Sequence, residues 1–376
     1  MNSNDLEKIK KALAKTGHVF EHQIGALFED RGWMIIPNKF YVDRDDNKGR
    51  EIDLVAYRIS EVANNTAYIT VVVIEAKQSN KTKWVFFTKG GYQGDINMNT
   101  APLYYHNEIE EVGRYLSQQA LLDGMMEREQ IDLFNFPRKA YTFSEVTDDR
   151  KGSQSGGSFF RAVATNTIYN SIFGVIKAQM SELDFYRNRK IAKNEKRFYM
   201  ILPLVVFNGE LVEAQISPDG EIDLQETQEI QYVNRYRSLA YDNFYTANII
   251  RRDILPRYIE TYTDIHHGVR DQVNEMIARF YDNLDLTSFE LLWDRIIGHL
   301  HADEQFAPFN PGNLIPHHFN ADKAILEIYV DDVTLYKALT HRPIFDFTQA
   351  MEQILTEVCG RPIRPQFKNH SKILNP

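Results

Sequence analysis

The chain has 376 residues, 43% hydrophobic and 25% charged, which is enough for two domains or for one domain with a sizeable appendage. Its net charge of −9 argues against a protein that coats nucleic acid electrostatically, and its single cysteine, Cys359, excludes an intramolecular disulfide. The longest apolar run, Phe198–Phe207, is too short to cross a bilayer, and the charged start MNSNDLEKIKKALAKTG lacks the apolar core of a signal peptide, so a soluble cytoplasmic protein without membrane contact is expected.

In chain order, Leu6, Ile9, Leu13, Phe20, Ile24, Leu27 and Phe28 recur near helical spacing and predict a helix over 5–31, stopped at Gly32. Trp33–Val42 reads as a strand, with Pro37 marking an edge or bulge, and Asp43–Gly49 as a polar turn. Glu51–Ile59 and Tyr68–Lys77 read as two strands joined through Asn64-Asn65. A helix is expected over about 106–130, a strand at 139–144, a loop from Asp148 to Ser158, and a second long helix from Phe159 to about Tyr186. Phe198–Phe207 is strand-like, and Asn208-Gly209 predicts a hairpin into Glu210–Ile216. Pro218-Asp219-Gly220 marks another turn, and helical patterns follow around 250–300 and 345–358. The order predicts an α/β (α+β) arrangement with a mixed central sheet flanked by helices.

The chemistry centres on Gly49–Arg58 (GREIDLVAYR) and Val71–Ser79 (VVVIEAKQS). In the second of these, Val71, Val73, Glu75 and Lys77 share one face, while Val72, Ile74 and Ala76 take the other. Both faces are apolar until the strand end, where a carboxylate and a lysine emerge together, and burying either without a partner is costly. If the two strands form a hairpin centred on Asn64, Asp53 faces Glu75 with Cβ atoms roughly 4.5–5.5 Å apart. Two carboxylates that close repel unless a cation or a proton joins them, and Mg2+ or Mn2+ suits such oxygen ligands. Parity matters: a two-residue Asn-Asn turn would pair residue 53 with 76, so the arrangement needs an odd connection or a bulge.

These residues resemble the PD-(D/E)XK nucleases, the restriction-endonuclease-like fold. The resemblance lies in Asp53, then Glu75-Ala76-Lys77 at the end of a hydrophobic strand, with Thr16–Glu21 (TGHVFE) similar to the first-helix motif whose glutamate, here Glu21, completes the acidic cluster. Gln78 after the lysine is similar to the Mrr-like and resolvase-like branches, whereas the proline that often precedes the first aspartate is missing from Glu51-Ile52-Asp53. Gly17, Glu21 and Gly25 lie at i, i+4 and i+8, a strip that lets the helix approach the sheet and deliver the carboxylate. The resemblance implies a Mg2+- or Mn2+-dependent deoxyribonuclease, an endonuclease in first expectation, in restriction, repair or defence against foreign DNA. Asp53, Glu75, Glu21 and the Ala76 carbonyl would hold the metal, and Lys77 would orient or deprotonate a water. It covers residues 10–80 and extends to 216 if the later helix and strand belong to the core. Residues 1–250 are then a nuclease domain with an insertion at about 80–157, and residues 251–376 an accessory, mixed helical region.

Charge is unevenly placed. Lys77, Lys81, Lys83 and Lys89 occur without an acid between Glu75 and Gly91, and Arg187–Arg197 holds six basic residues against Glu195 alone. Gln78, Lys81, Lys83 and Trp84 are candidate contacts to DNA backbone and bases, the other reading being sheet packing with solvated lysines. A homodimer and a protein partner supplying targeting or ATPase function are further expectations, since no Walker loop is present. A nuclease fold that binds DNA or protein without cutting is the alternative. His18-Val19-Phe20-Glu21-His22 also spells an HxxEH zinc-peptidase motif, but the glutamate expected some 75 residues on is absent, Asn99 standing there. Asp43, Asp45 and Asn47 mimic the start of a calcium loop whose position six is Lys48, which favours a plain polar turn. The paired histidines, His266-His267 among them, read as packing or surface residues.

Overall fold

The computed structural model describes residues 3–13, 16–63, 66–90, 100–127, 134, 136–148, 160–189, 195–238, 241–302, 311–331, 336–337 and 347–369. The chain forms two compact units, one of residues 1–108 and 117–272, the other of residues 109–116 and 273–376.

The first unit opens with α1 (Ser3–Leu13) and α2 (Gly17–Glu29), where one continuous helix was expected. Thr16 makes the break: its N–H and its hydroxyl both donate to the Leu13 carbonyl, at 2.9 and 2.7 Å, and it then serves as the extended N-cap of α2. Gly32, with φ of 78°, ends the segment as expected. Strands β1 (Met34–Asp43), β2 (Lys48–Val62), β3 (Thr66–Gln78), β4 (Thr82–Gly90) and β5 (Tyr104–Asn107) follow. The helix expected over 106–130 is instead β5, a single turn α3 (Glu110–Gly113) and α4 (Gln118–Glu127). The cause is pairing, since β5 lies antiparallel on one end of a later strand, with Tyr104 opposite Ile201.

Next come β6 (Arg138–Asp148), β7 (Phe160–Val163), α5 (Asn166–Asn188), β8 (Lys196–Asn208), β9 (Leu211–Ile216), β10 (Ile222–Thr227), β11 (Glu229–Arg237), β12 (Asp242–Arg251) and the long α6 (Leu255–Asp282). The helix expected from Phe159 begins at Asn166, its first residues going to β7, and residues 149–159 of the expected loop lie outside the described residues. The hairpin expected at Asn208-Gly209 does not form: β9 pairs with β4 in parallel and with β10 antiparallel, not with β8. Gly209 is needed there for space, because a Cβ would fall 2.7 Å from the Ser79 carbonyl oxygen.

These strands form one mixed sheet of order β1-β2-β3-β8-β12-β11-β6-β4-β9-β10, with β5 beside β8 and β7 beside β6. Strand β3 lies between β2, antiparallel, and β8, parallel, and is buried along nearly its whole length, which is why both of its faces are apolar. Helix α5 covers one face: Ile168, Ile172, Val175 and Ile176 share a core with Val71, Val73, Ile201 and Val205. The second unit has its own core, built from α7 (Leu286–Ala302), strands β13 (Leu314–Asn320), β14 (Ile325–Val330) and β15 (Arg364–Asn369), and α8 (Phe347–Cys359). Among the described residues no helix is long and apolar enough to cross a membrane. The protein is α+β, with a large mixed sheet.

Candidate active site

Strands β2 and β3 pair from Leu54 opposite Ile74 to Val62 opposite Thr66, so three residues, 63–65, connect them. That odd count continues the register to Asp53 and Glu75, whereas a two-residue connection would have sent Asp53 to the other face. The β1–β2 ladder is paired on either side of Asp53, at Pro37–Leu54 and Lys39–Ile52, and Asn38 between them takes a φ of 49°. Asparagine tolerates this left-handed region better than most residues. The strand faces reverse here. Leu54 comes within 3.8 Å of the Cβ position of Gly25 on α2, while Ile52 and Tyr41 join the core beneath α5. Residues two apart in a regular strand would share a face, so Asp53 sits at a break.

At the break the side chains converge. Asp53 Oδ2 accepts from the Ala76 N–H at 2.7 Å and from Lys77 Nζ at 3.3 Å. The same ammonium lies 2.6 Å from Glu75 Oε1. Glu75 is buried, and burial, then the Asp53 charge, push its carboxyl up to about 7, with Glu21 adding to the rise and Lys77 opposing it. Burial works against the Lys77 charge, but Glu75 and Asp53 outweigh it and hold the ammonium above its usual range. Tyr41 closes one side, donating its hydroxyl to the Gly174 carbonyl at 3.4 Å; burial, with Asp43 and Glu75 nearby, keeps its phenol protonated well above the usual range.

Glu21 is close enough to affect Glu75, but its carboxylate bonds His18 Nδ1 at 3.1 Å. The two bare positions differ, and only Gly25 faces the sheet. A Cβ on Gly17 would come within 2.8 Å of Glu21 Oε1, and Gly25 lets α2 rest on Ile35 and Leu54. Gln78 donates to the Thr16 carbonyl at 3.3 Å and so ties the end of β3 to the start of α2. Among the described residues no three His, Cys, Asp or Glu side chains are gathered as a metal site gathers them, at Asp53 or around His18 and His22. The donor set at Asp53 and Glu75 nevertheless suits one hard divalent cation. Two carboxylates stand side by side with a lysine ammonium between them as a stand-in charge, and a Cβ on Gly174 would lie 3.9 Å from Glu75 Oε2.

The other residues singled out from the sequence separate. Trp84 is not available for base stacking: it is 1% exposed, with its ring stacked on Phe207 at 3.9 Å between centroids. Lys83 pairs with Glu210 and lies 5.6 Å from the Phe160 ring, while Lys81 is exposed. Asp43, itself buried, is closed off by Arg50 at 2.6 Å and Lys177 at 2.8 Å, and Asp45 by Lys177 at 3.0 Å, so the calcium-like turn is an ion-pair cluster. His266 is a packing histidine, bonded to Ser60 Oγ at 2.8 Å and Thr70 Oγ1 at 2.9 Å.

Two features escaped sequence reasoning. Gly174 comes from α5, a hundred residues after the motif. Arg251 shares a row of the sheet with Lys77, both standing opposite Phe207 of β8, about 10 Å apart at the spacing of two strands. It lines a cleft with Arg252, Asn208 and Gly209, and Arg252 lies 5.8 Å from the ring of Phe20, the neighbour of Glu21. No short-range pattern marks these arginines; the parallel pairing of β8 and β12 puts Arg251 in the row of Lys77, where its guanidinium pairs with Asp253 at 3.2 Å. No protein-family model, curated protein or solved structure gave a match to the chain.

Proposed function

We propose that the chain is a metal-dependent nuclease of the PD-(D/E)XK type acting on DNA. The observation that carries this is the convergence of Asp53, at a break within β2, with Glu75 and Lys77, at the end of the neighbouring β3. The order α2-β1-β2-β3-α5-β8, with β1, β2, β3 and β8 adjacent in the sheet and β3 parallel to β8, supports it, because this is the core expected for such a nuclease.

Asp53 and Glu75 would hold the cation, with the Ala76 carbonyl and Glu21 as the further oxygens that the motif suggests. A bound Mg2+ or Mn2+ supplies Lewis-acid polarisation of the phosphate and acidifies a water. Lys77, held as an ammonium by two carboxylates, acts by charge, orienting the attacking water and neutralising the developing negative charge. Glu75 must be ionised to bind a cation, and the excess negative charge of Asp53 and Glu21 that opposes its ionisation is what the cation offsets. Arg251, Arg252 and exposed Lys81 suit contacts to backbone phosphates. The test is cleavage of plasmid and linear DNA with Mg2+ or Mn2+ by the native chain, Glu75→Ala and Lys77→Ala. Loss of metal-dependent cutting in both variants is expected. Failure of the native chain to cut any DNA or RNA while still binding it would replace the enzyme with a non-cutting module.

A further inference from the structure

We infer that Gly174 is a positioning residue that keeps the surface of α5 bare beside Glu75, so that the outer carboxylate oxygen stays open to a divalent cation; this rests on the nuclease reading of the site.

Glycine in a helix interior is disfavoured relative to alanine, so its presence asks for a reason. The usual reasons fail here. Gly174 lies well inside Asn166–Asn188, with no positive φ, and the added Cβ would meet one atom within 4 Å, Glu75 Oε2, at 3.9 Å. That is ordinary contact distance, unlike Gly209, whose Cβ would meet a backbone oxygen at 2.7 Å. Packing therefore permits alanine at 174, and what a methyl group would change is the space next to Glu75.

The two oxygens of Glu75 differ in the same sense. Oε1 takes the Lys77 ammonium at 2.6 Å, and Oε2 is the oxygen that lies 3.9 Å from where a Cβ on Gly174 would stand. The Tyr41 hydroxyl, bonded to the Gly174 carbonyl at 3.4 Å, fixes the helix to β1 at this residue, so the bare position is held against the carboxylate instead of drifting along it. A cation or its water bound at Oε2 needs the volume that a Cβ and its hydrogens would fill.

The test compares the native chain with Gly174→Ala and Gly174→Ser in three measurements: thermal unfolding in EDTA, Mn2+ binding by calorimetry, and DNA cleavage. Gly174→Ala is expected to raise Tm by about 2 °C, in line with helix propensity, while Mn2+ affinity and cleavage each fall at least about tenfold, a factor of ten being 1.4 kcal/mol. Gly174→Ser is expected to lose Mn2+ affinity and cleavage likewise. A lowered Tm in both variants would overturn the inference, since glycine would then serve packing. Native Mn2+ affinity and native cutting in Gly174→Ala would also overturn it while leaving the nuclease reading intact. A native chain that neither binds Mn2+ nor cuts would bring down that reading and this inference together.

Discussion

Three side chains carry opposing demands at the residue scale. Glu75 is driven into the sheet end by the apolar strand that bears it, and Asp53 is held near it by the Ala76 N–H. One ammonium serves two carboxylates, so the pair is under-compensated. The consequence is measurable. A carboxyl raised from 4.5 to about 7 binds more protons in the folded than in the unfolded chain between those values, so its contribution to stability falls as pH rises through that window and the penalty is full above about pH 7. In EDTA, Glu75→Gln is therefore expected to raise Tm more at pH 8.5 than at pH 5, read by calorimetric scans at the two values. An equal shift at both, or a lower Tm at pH 8.5, would show that Glu75 is not strained by its charge.

At the scale of elements, features that recur locally part from those that depend on distant strands. His266 on α6 links Ser60 of β2 to Thr70 of β3 from full burial, and burial, then the neighbouring His267, push its pKa down to about 3. Folding then excludes a proton that the unfolded chain binds below pH 6.5, so stability is lost as pH falls through that value, by about 2 kcal/mol at pH 5. Denaturant titrations of the native chain and His266→Gln should show that the variant lacks this part of the acid slope; parallel pH profiles would remove the role. The β2–β3 pairing was legible because a hairpin depends on neighbours in sequence, and the alternation of Val71 to Lys77 is local; whether its parity came from an odd connection or a bulge was left open until the register was seen. The fate of Trp84 was not legible, because its ring is covered by Phe207, more than a hundred residues later. The same holds for β9, which left the expected hairpin for β4, and for Gly174, which has meaning only once α5 lies on β3. Aromatic patches and turn dipeptides state a preference; non-local pairing decides whether it is used.

For the whole molecule, a net charge of −9 makes general adhesion to a polyanion unfavourable, so the proposed DNA binding would have to come from a local basic track. Sequence reasoning placed that track on Lys81, Lys83 and Trp84; the sheet adds Arg251 in the row of Lys77, paired with Asp253, with Arg252 just beyond the strand, and engages Lys83 with Glu210. Binding to a short duplex in Ca2+, followed by fluorescence anisotropy across a salt series, should weaken in Arg251→Ala/Arg252→Ala. The slope of log K against log salt should fall by about two, one for each phosphate no longer neutralised. An unchanged slope would put the DNA path elsewhere on the molecule.

The central claim is that Asp53, Glu75 and Lys77 form one metal-dependent hydrolytic unit. Its most direct test is cleavage of supercoiled and linear DNA in Mg2+ or Mn2+ by the native chain beside Asp53→Ala, Glu75→Ala and Lys77→Ala. The prediction is cutting that requires metal and falls by at least about a hundredfold in each variant, because groups acting as a unit fail together. Metal-dependent cutting that survives in all three would contradict the assignment of the site, and no cutting by the native chain on any nucleic acid would contradict the assignment of the activity.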